Sequence, residues 1–220
     1  MNILDYLKNN KYPGRGIIVG EHAGKMVIAY FIMGRSVNSR NRVFAKKNDI
    51  IYTKAFDESK VADPSLIIYN AIREFEDKTI VTNGDQTDTV YEYLSKGKSF
   101  KDALNTREYE PDSPNYTPRI SALIDQNGYD IAILRKNGEK CARDYYHYAR
   151  ENNRGHFIST YVCDGNPLPA FEGEPIEVSL DLPFKEFAER LWKSLDPGNK
   201  VSLYVRFADR EIIFNRNQED

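Results

Sequence analysis

The apolar run from Met26 to Met33 sets the first limit on this chain: eight residues, closed off by Gly24-Lys25 on one side and Gly34 on the other. That length suits a β-strand and falls far short of the roughly 18–20 apolar residues that a membrane-spanning helix needs. A second stretch, residues 14–20, precedes it across Glu21-His22-Ala23-Gly24-Lys25. Two apolar stretches flanking a turn that contains glycine read as a β-hairpin. No other window is longer, so the chain must build its core from short strands and short helices packed in layers.

The remaining pattern fills in that frame. Ile3, Leu4, Tyr6 and Leu7 form a short amphipathic opening, and residues 34–47 are polar and rich in arginine. Ile50-Ile51-Tyr52 reads as a strand, and Asp63-Pro64 starts an expected helix over residues 65–75, with proline in a permitted first-turn position. That helix would place Tyr69 and Arg73 on one face, with Asn70 beside them. Residues 78–82 are a short strand ending at Asn83-Gly84, followed by helices over residues 85–94 and 99–107, the second capped near Ser99. Strands are expected at residues 120–124, 130–134, 141–148 and 156–162, then a helix over residues 183–195 and a closing hairpin, 201–207 with 211–214. Phe184, Phe187, Ala188, Leu191 and Trp192 share one face of that last helix. The order predicts a single α+β domain over residues 1–220. A Rossmann fold is excluded, because no G-x-G-x-x-G follows a strand and regular β-α alternation is missing.

Charge and composition narrow the function. With 31 Lys+Arg against 33 Asp+Glu the net charge is −2, which argues against a duplex nucleic acid as partner. The N-terminus MNILDYLKNNKYPG lacks the regions of a secretory signal, so a cytoplasmic protein with no membrane association is expected. Cys141 and Cys163 form no C-x-x-C pair, and His22, His147 and His156 have no neighbours at ligand spacing, so no metal site is expected. Fifteen tyrosines are more than usual, and each combines an apolar ring with a phenol that donates and accepts.

Three polar blocks could carry chemistry. Gly34-Arg35-Ser36-Val37-Asn38-Ser39-Arg40-Asn41-Arg42 gathers three guanidiniums with no acid before Asp49, a set suited to an anion; a solvated loop is the plain alternative. The block from Tyr69 to Thr89 contains Tyr69, Asn70, Arg73 and the turn Asn83-Gly84-Asp85-Gln86-Thr87-Asp88, where free N–H groups attract polar ligand atoms or simply cap a helix. The third, Tyr109-Glu110-Pro111-Asp112-Ser113-Pro114-Asn115-Tyr116-Thr117-Pro118-Arg119, offers Glu110 and Asp112 as proton carriers, Tyr116 as a stacking surface and Arg119 at a strand start. It reads equally as a rigid connector.

Taken in order, GRGIIVG, GRSVNSRNR, YNAI with TNGDQTDT, YEPDSPNYTPRI and the weaker ISTY resemble the archaeal-type inosine monophosphate (IMP) cyclohydrolase family. The resemblance implies a four-layer α-β-β-α sandwich like that of the N-terminal nucleophile hydrolases. Met1-Asn2 offers no Ser, Thr or Cys for amide hydrolysis. It also implies closure of the purine ring of 5-formamidoimidazole-4-carboxamide ribotide (FAICAR) to IMP, with no cofactor and no metal, by a homo-oligomer. Arg40, Tyr69 and Glu110 match the family's active-site residues; Arg35, Arg42 and Arg119 become anion ligands, with Asn70, Asn83, Asp88 and Asn115 as polar contacts to the ribotide. This chain differs in having extra residues before Gly14, one more within residues 115–117, a longer excursion over residues 136–155, and Val-Asn-Ser where archaeal members have Phe-Pro. A catalytically silent nucleotide-binding module, or a hydrolase of a related nucleotide, are the competing readings.

Overall fold

The computed structural model describes residues 1–61 and 68–218. Its centre is the expected hairpin, β1 (Arg15–His22) and β2 (Lys25–Met33), joined by Ala23 and Gly24 at φ 49° and 77°. Both turn residues are left-handed, the geometry whose twist matches the paired strands. Side-chain alternation then sorts this hairpin into two faces. Ile17, Val19, Ile28, Tyr30 and Ile32 point one way, and Ile18, Val27, Ala29, Phe31 and Met33 the other.

Two antiparallel sheets use those faces. The first has six strands in the order β11-β10-β1-β2-β12-β13, where β10 is Arg154–Ser159, β11 Ile176–Ser179, β12 Lys200–Phe207 and β13 Arg210–Asn215. The second runs β3-β4-β5-β6-β7-β8-β9 through consecutive antiparallel neighbours: β3 (Arg42–Lys47), β4 (Ile50–Ala55), β5 (Asn70–Phe75), β6 (Lys78–Thr82), β7 (Arg119–Ile124), β8 (Gly128–Asn137) and β9 (Lys140–Ala149). The sheets bury a shared layer containing Tyr30, Phe44, Tyr69, Ile72, Ile120 and Ile131. Helices α1 (Ile3–Lys8) and α5 (Phe184–Ser194) cover the outer face of the first sheet; α3 (Gln86–Ser95) and α4 (Phe100–Asn105) cover that of the second. A one-turn helix, α2 (Val37–Arg40), precedes β3.

Helix α5 shows why its sequence was readable. Phe187, Ala188, Leu191 and Trp192 are all buried, and Trp192 stacks on Phe214 with ring centroids 5.7 Å apart. Leu191 has no exposed surface. Leu191→Ala should therefore cost about 2–5 kcal/mol, read as a lower denaturation midpoint with little change in slope.

The expected helix over residues 65–75 is corrected. Its first residues, with Asp63-Pro64, lie outside the described residues, and Asn70–Phe75 is strand β5. The cause is a bulge. Ile51 pairs with Ile72 but Tyr52 pairs with Asn70, leaving Ala71 as an extra residue. A bulge shifts the two-residue alternation by one, so Tyr69 and Ile72, three apart, both face the other sheet, while Asn70 and Arg73 both face α3. Apolar positions three and four apart thus imitate a helix. Strand β3 went unread for a related reason: it opens with Arg42 and ends in Lys46-Lys47, so only Val43 and Phe44 mark it as buried.

Candidate active site

The site is built where β1 and β2 of one sheet face β3, β5 and the loop before β7 of the other. Arg15, in phase with Ile17 and Val19, and Tyr30, in phase with Ile28 and Ile32, project from the first sheet into the shared layer. Arg42 enters from β3, in phase with Phe44, and Tyr69 from the residue before the bulged β5. Glu110 comes from the loop 106–118, which is pinned by Glu110 N–H to Thr117 O (2.9 Å) and by Asp112 accepting from Thr117. Thr117 and Tyr161 also share a hydroxyl hydrogen bond of 2.7 Å.

Tyr30 and Tyr69 join their hydroxyls at 2.8 Å. One phenol must donate and the other accept, which leaves the acceptor's proton free for a third group. Burial raises the pKa of both. After burial, Arg42 and Arg15 are the main influences on Tyr69 and favour its anion, whereas the charge of Tyr69 and the hydrogen bond to it raise Tyr30 further. Either phenol can be the donor in this pair.

Glu110 is 7% exposed, and burial lifts its carboxyl above the usual range against the pull of Arg15, Arg119 and Arg42. Arg42 is lowered by burial and then by the like charge of Arg15. Gly84 sits against this group. A methyl there would come within 2.6 Å of Arg119 Nη1, 2.7 Å of Gln86 Oε1 and 3.3 Å of Glu110 Oε1, so the bare backbone makes room for the acid and the guanidinium together.

The other anticipated residues have hydrogen-bond or ionic partners of their own. Arg40 donates through Nε to Gly34 O (2.8 Å) and through Nη2 to Asn199 (3.3 Å). Arg35 pairs with Asp164 at 2.7 Å and lies over the Tyr12 ring. Asn70 and Asp88 bond to each other on the α3 side of the sheet, joined by Arg73. Asn83 binds Pro118 O and accepts from Ile120 N–H and Gln86, an arrangement that fixes the β6–α3 turn. Asn115 accepts from Leu168 N–H, and Tyr116 stands edge-on to Tyr109 beneath Lys136 rather than offering a free stacking face. Arg119 reaches Gln86, Asp85 and Glu108 O while lying beside Glu110. A depression of about 760 Å³ lined by Met1, Asn2, Tyr6, Asn10 and Cys163 contains none of the acid, phenol and arginine group, so chemistry rather than size locates the site.

Arg15 and Tyr30 escaped the motif-based reading. The signal that finds Arg15 is strand phase, since a charged residue in step with inward Ile17 and Val19 must face the shared layer. Tyr30 carries no such signal, because a tyrosine between Ile28 and Ile32 looks like packing.

A buried carboxyl with a raised pKa, a hydrogen-bonded pair of phenols and two guanidiniums, gathered between two antiparallel sheets, make a candidate acid–base site. The chain belongs to the IMP cyclohydrolase-like protein family, whose model matches residues 12–212. The IMP cyclohydrolase of Methanocaldococcus jannaschii is 29% identical over 188 residues, covering 80% of this chain and 88% of that protein. That of Methanococcus aeolicus is 27% identical over 157 residues, covering 69% and 75%. The Methanocella arvoryzae IMP cyclohydrolase is 30% identical over 131 residues, and the match spans 58% of this chain and 64% of that protein.

Proposed function

We propose that this chain is an IMP cyclohydrolase that closes the purine ring of FAICAR between its two sheets. The observation that carries the reading is the meeting of Tyr69, Glu110 and the arginines in one buried group, within a chain of this family. The carboxamide nitrogen attacks the formyl carbon of the same molecule, forming the new C–N bond as the formyl oxygen takes up charge. Glu110 accepts the proton that leaves the nitrogen, and Tyr69 donates to the formyl oxygen. The oxygen then departs as water, with the second proton lost from the former formamide nitrogen, which gives IMP and one water. Nucleophile and electrophile are already tethered, so holding them in a near-attack arrangement supplies much of the acceleration.

A carboxylate at its ordinary pKa is a weak base for an amide, and burial of Glu110 strengthens it. Arg42 stands beside the developing charge, while Arg40 is engaged by Gly34 O and Asn199. Asn70, Asn83, Asp88 and Asn115 serve the site through the scaffold they brace. The reading also includes one functional domain, kinship with the N-terminal nucleophile hydrolase fold supported by paired sheets between helix layers, and a cytoplasmic homo-oligomer. Light scattering on the purified protein tests the last of these.

The decisive experiment incubates the protein with FAICAR and follows the purine chromophore. Ring closure at enzymatic rates is expected; binding without closure would leave a silent nucleotide-binding module. Gly84→Ala tests the geometry. Its methyl meets Arg119 and Gln86, both buried and hydrogen-bonded, so the melting temperature should fall, and displacement of Glu110 and Arg119 lowers kcat/KM by about 10- to 100-fold.

A further inference from the structure

The motif Ile158-Ser159-Thr160-Tyr161 takes no part in the proposed reaction, yet it ties the two halves of the site together. It leaves the end of β10 beside the start of β1. Thr160 holds the main chain of Arg15 twice: its Oγ1 accepts from Arg15 N–H (3.1 Å), and its N–H donates to Arg15 O (2.9 Å). Tyr161 N–H donates to Pro13 O (3.2 Å) and Ser159 Oγ to Tyr161 O (2.9 Å), so the backbone of this turn is fixed to the first sheet.

The Tyr161 side chain then crosses to the loop that carries Glu110. Its ring is 1% exposed and stacks on Tyr12, and its hydroxyl lies 2.7 Å from Thr117 Oγ1. Thr117 has one hydroxyl proton, and donates it to Asp112 Oδ2. The phenol is therefore the donor to Thr117, and the chain runs in one direction, from Tyr161 through Thr117 to Asp112. Asp112 Oδ1 also accepts Thr117 N–H (2.6 Å), and Thr117 O accepts Glu110 N–H (2.9 Å). Hydrogen bonds thus lead from the first sheet to the backbone of Glu110.

The Glu110 carboxyl faces Arg15 of β1, Arg42 of β3, Arg119 of β7, the Tyr69 phenol and, on its own loop, Asp112. Burial opposes the charge on Arg15, and Glu110 is the largest of the influences that favour it. Attraction between charges depends on distance and leaves the angle of a carboxyl free, whereas hydrogen bonds fix direction. Thr160 and Tyr161, adjacent in sequence, therefore hold one member each of this charge pair. A phenylalanine would fill the same volume against Tyr12, so packing does not account for the hydroxyl.

We propose that Tyr161 is a positioning residue for Glu110, holding the loop through Thr117 so that the carboxyl meets Arg15 at the inter-sheet layer in a fixed orientation. The role rests on reading Glu110 as the proton-accepting group of the site. Tyr161 itself touches no reacting atom.

Tyr161→Phe removes the hydroxyl and keeps the ring, while Thr117 still donates to Asp112, so no buried donor is stranded. Its kcat for FAICAR should fall about 10-fold with KM little changed. In a Glu110→Gln background the same substitution should cost less than about two-fold, because a residue that acts through the carboxylate has nothing left to place. Thr117→Ser keeps the link and should keep kcat within about two-fold of wild type. Thr117→Val breaks the link from the loop side, should repeat the pattern of Tyr161→Phe, and serves if that variant fails to fold. A Tyr161 that only packs would lower kcat by the same factor with glutamate or glutamine at position 110, and that result overturns the proposal.

A second readout needs no turnover. Burial holds the Glu110 carboxyl above the usual range, so the stability of Glu110→Gln relative to its Glu110 parent should rise with pH from the ordinary glutamate pKa until the folded-state value is passed. Loosening the loop admits water to the carboxyl, so this rise should be smaller when both proteins carry Tyr161→Phe. If the protein never closes the ring, a smaller rise keeps the positioning role and removes the proposed reaction, and an unchanged rise overturns the role as well. If the protein does close the ring, the comparison of kcat factors decides, and equal factors leave the reaction standing without Tyr161.

Discussion

Tyr69→Phe is expected to lower kcat for ring closure by about 10²–10³, the scale of losing one well-placed donor to a developing oxyanion. KM should change little, because the phenol's contribution grows with the charge on the formyl oxygen and not with substrate binding. Tyr30→Phe separates the roles of the pair. It keeps the Tyr69 proton but removes the hydrogen bond that biases Tyr69 towards ionisation, so kcat should fall less and the alkaline limb of the pH–rate profile should move to higher pH. Steady-state kinetics across pH on both variants checks this. Equal losses with unshifted profiles would make the phenol pair a packing element.

Glu110→Gln is expected to reduce kcat by about 10²–10⁴, the usual range for a positioned general base, since glutamine keeps the shape and can hydrogen-bond but cannot accept the proton. The same substitution reports on stability. Below the ordinary glutamate pKa of about 4.3 both folded and unfolded chains carry the proton, and burial of Glu110 costs nothing through ionisation. As pH rises, the unfolded chain ionises first because burial has raised the folded-state value, so the wild type loses stability until the folded-state pKa is passed. The variant lacks this dependence. Its stability relative to wild type should climb through that window and then level off, as urea titrations at a series of pH values would show. A flat difference would mean that Glu110 is solvated in the folded protein.

The parts of the fold legible in the sequence are those where one physical pattern acts alone. Strict alternation around Gly24 exposes the β1–β2 hairpin, and the spacing of Phe187, Leu191 and Trp192 exposes α5. The pattern fails where two rules overlap. At Ala71 a bulge produces helical spacing inside a strand, and at β3 an inward arginine and two outward lysines disguise a buried edge as a loop. The site divides the same way. Tyr69 and Glu110 are candidates within their polar blocks, and only the family resemblance singles them out, since nothing in their own spacing separates them from other tyrosines and acids. Arg15 was readable from phase alone. Tyr30 was not, because its partner lies 39 residues away on another sheet and only the fold shows them touching.

The division of the site between two sheets has a kinetic consequence. Arg15 and Tyr30 belong to one sheet, Arg42 and Tyr69 to the other, and Glu110 to a loop anchored by both, through Thr117 and Tyr161. Each sheet can form its own hairpins from local contacts, but no group of the candidate site faces its partner until the two sheets dock across long sequence separations. Recovery of turnover during refolding therefore reports the last step of assembly and should lag behind recovery of the β-sheet signal.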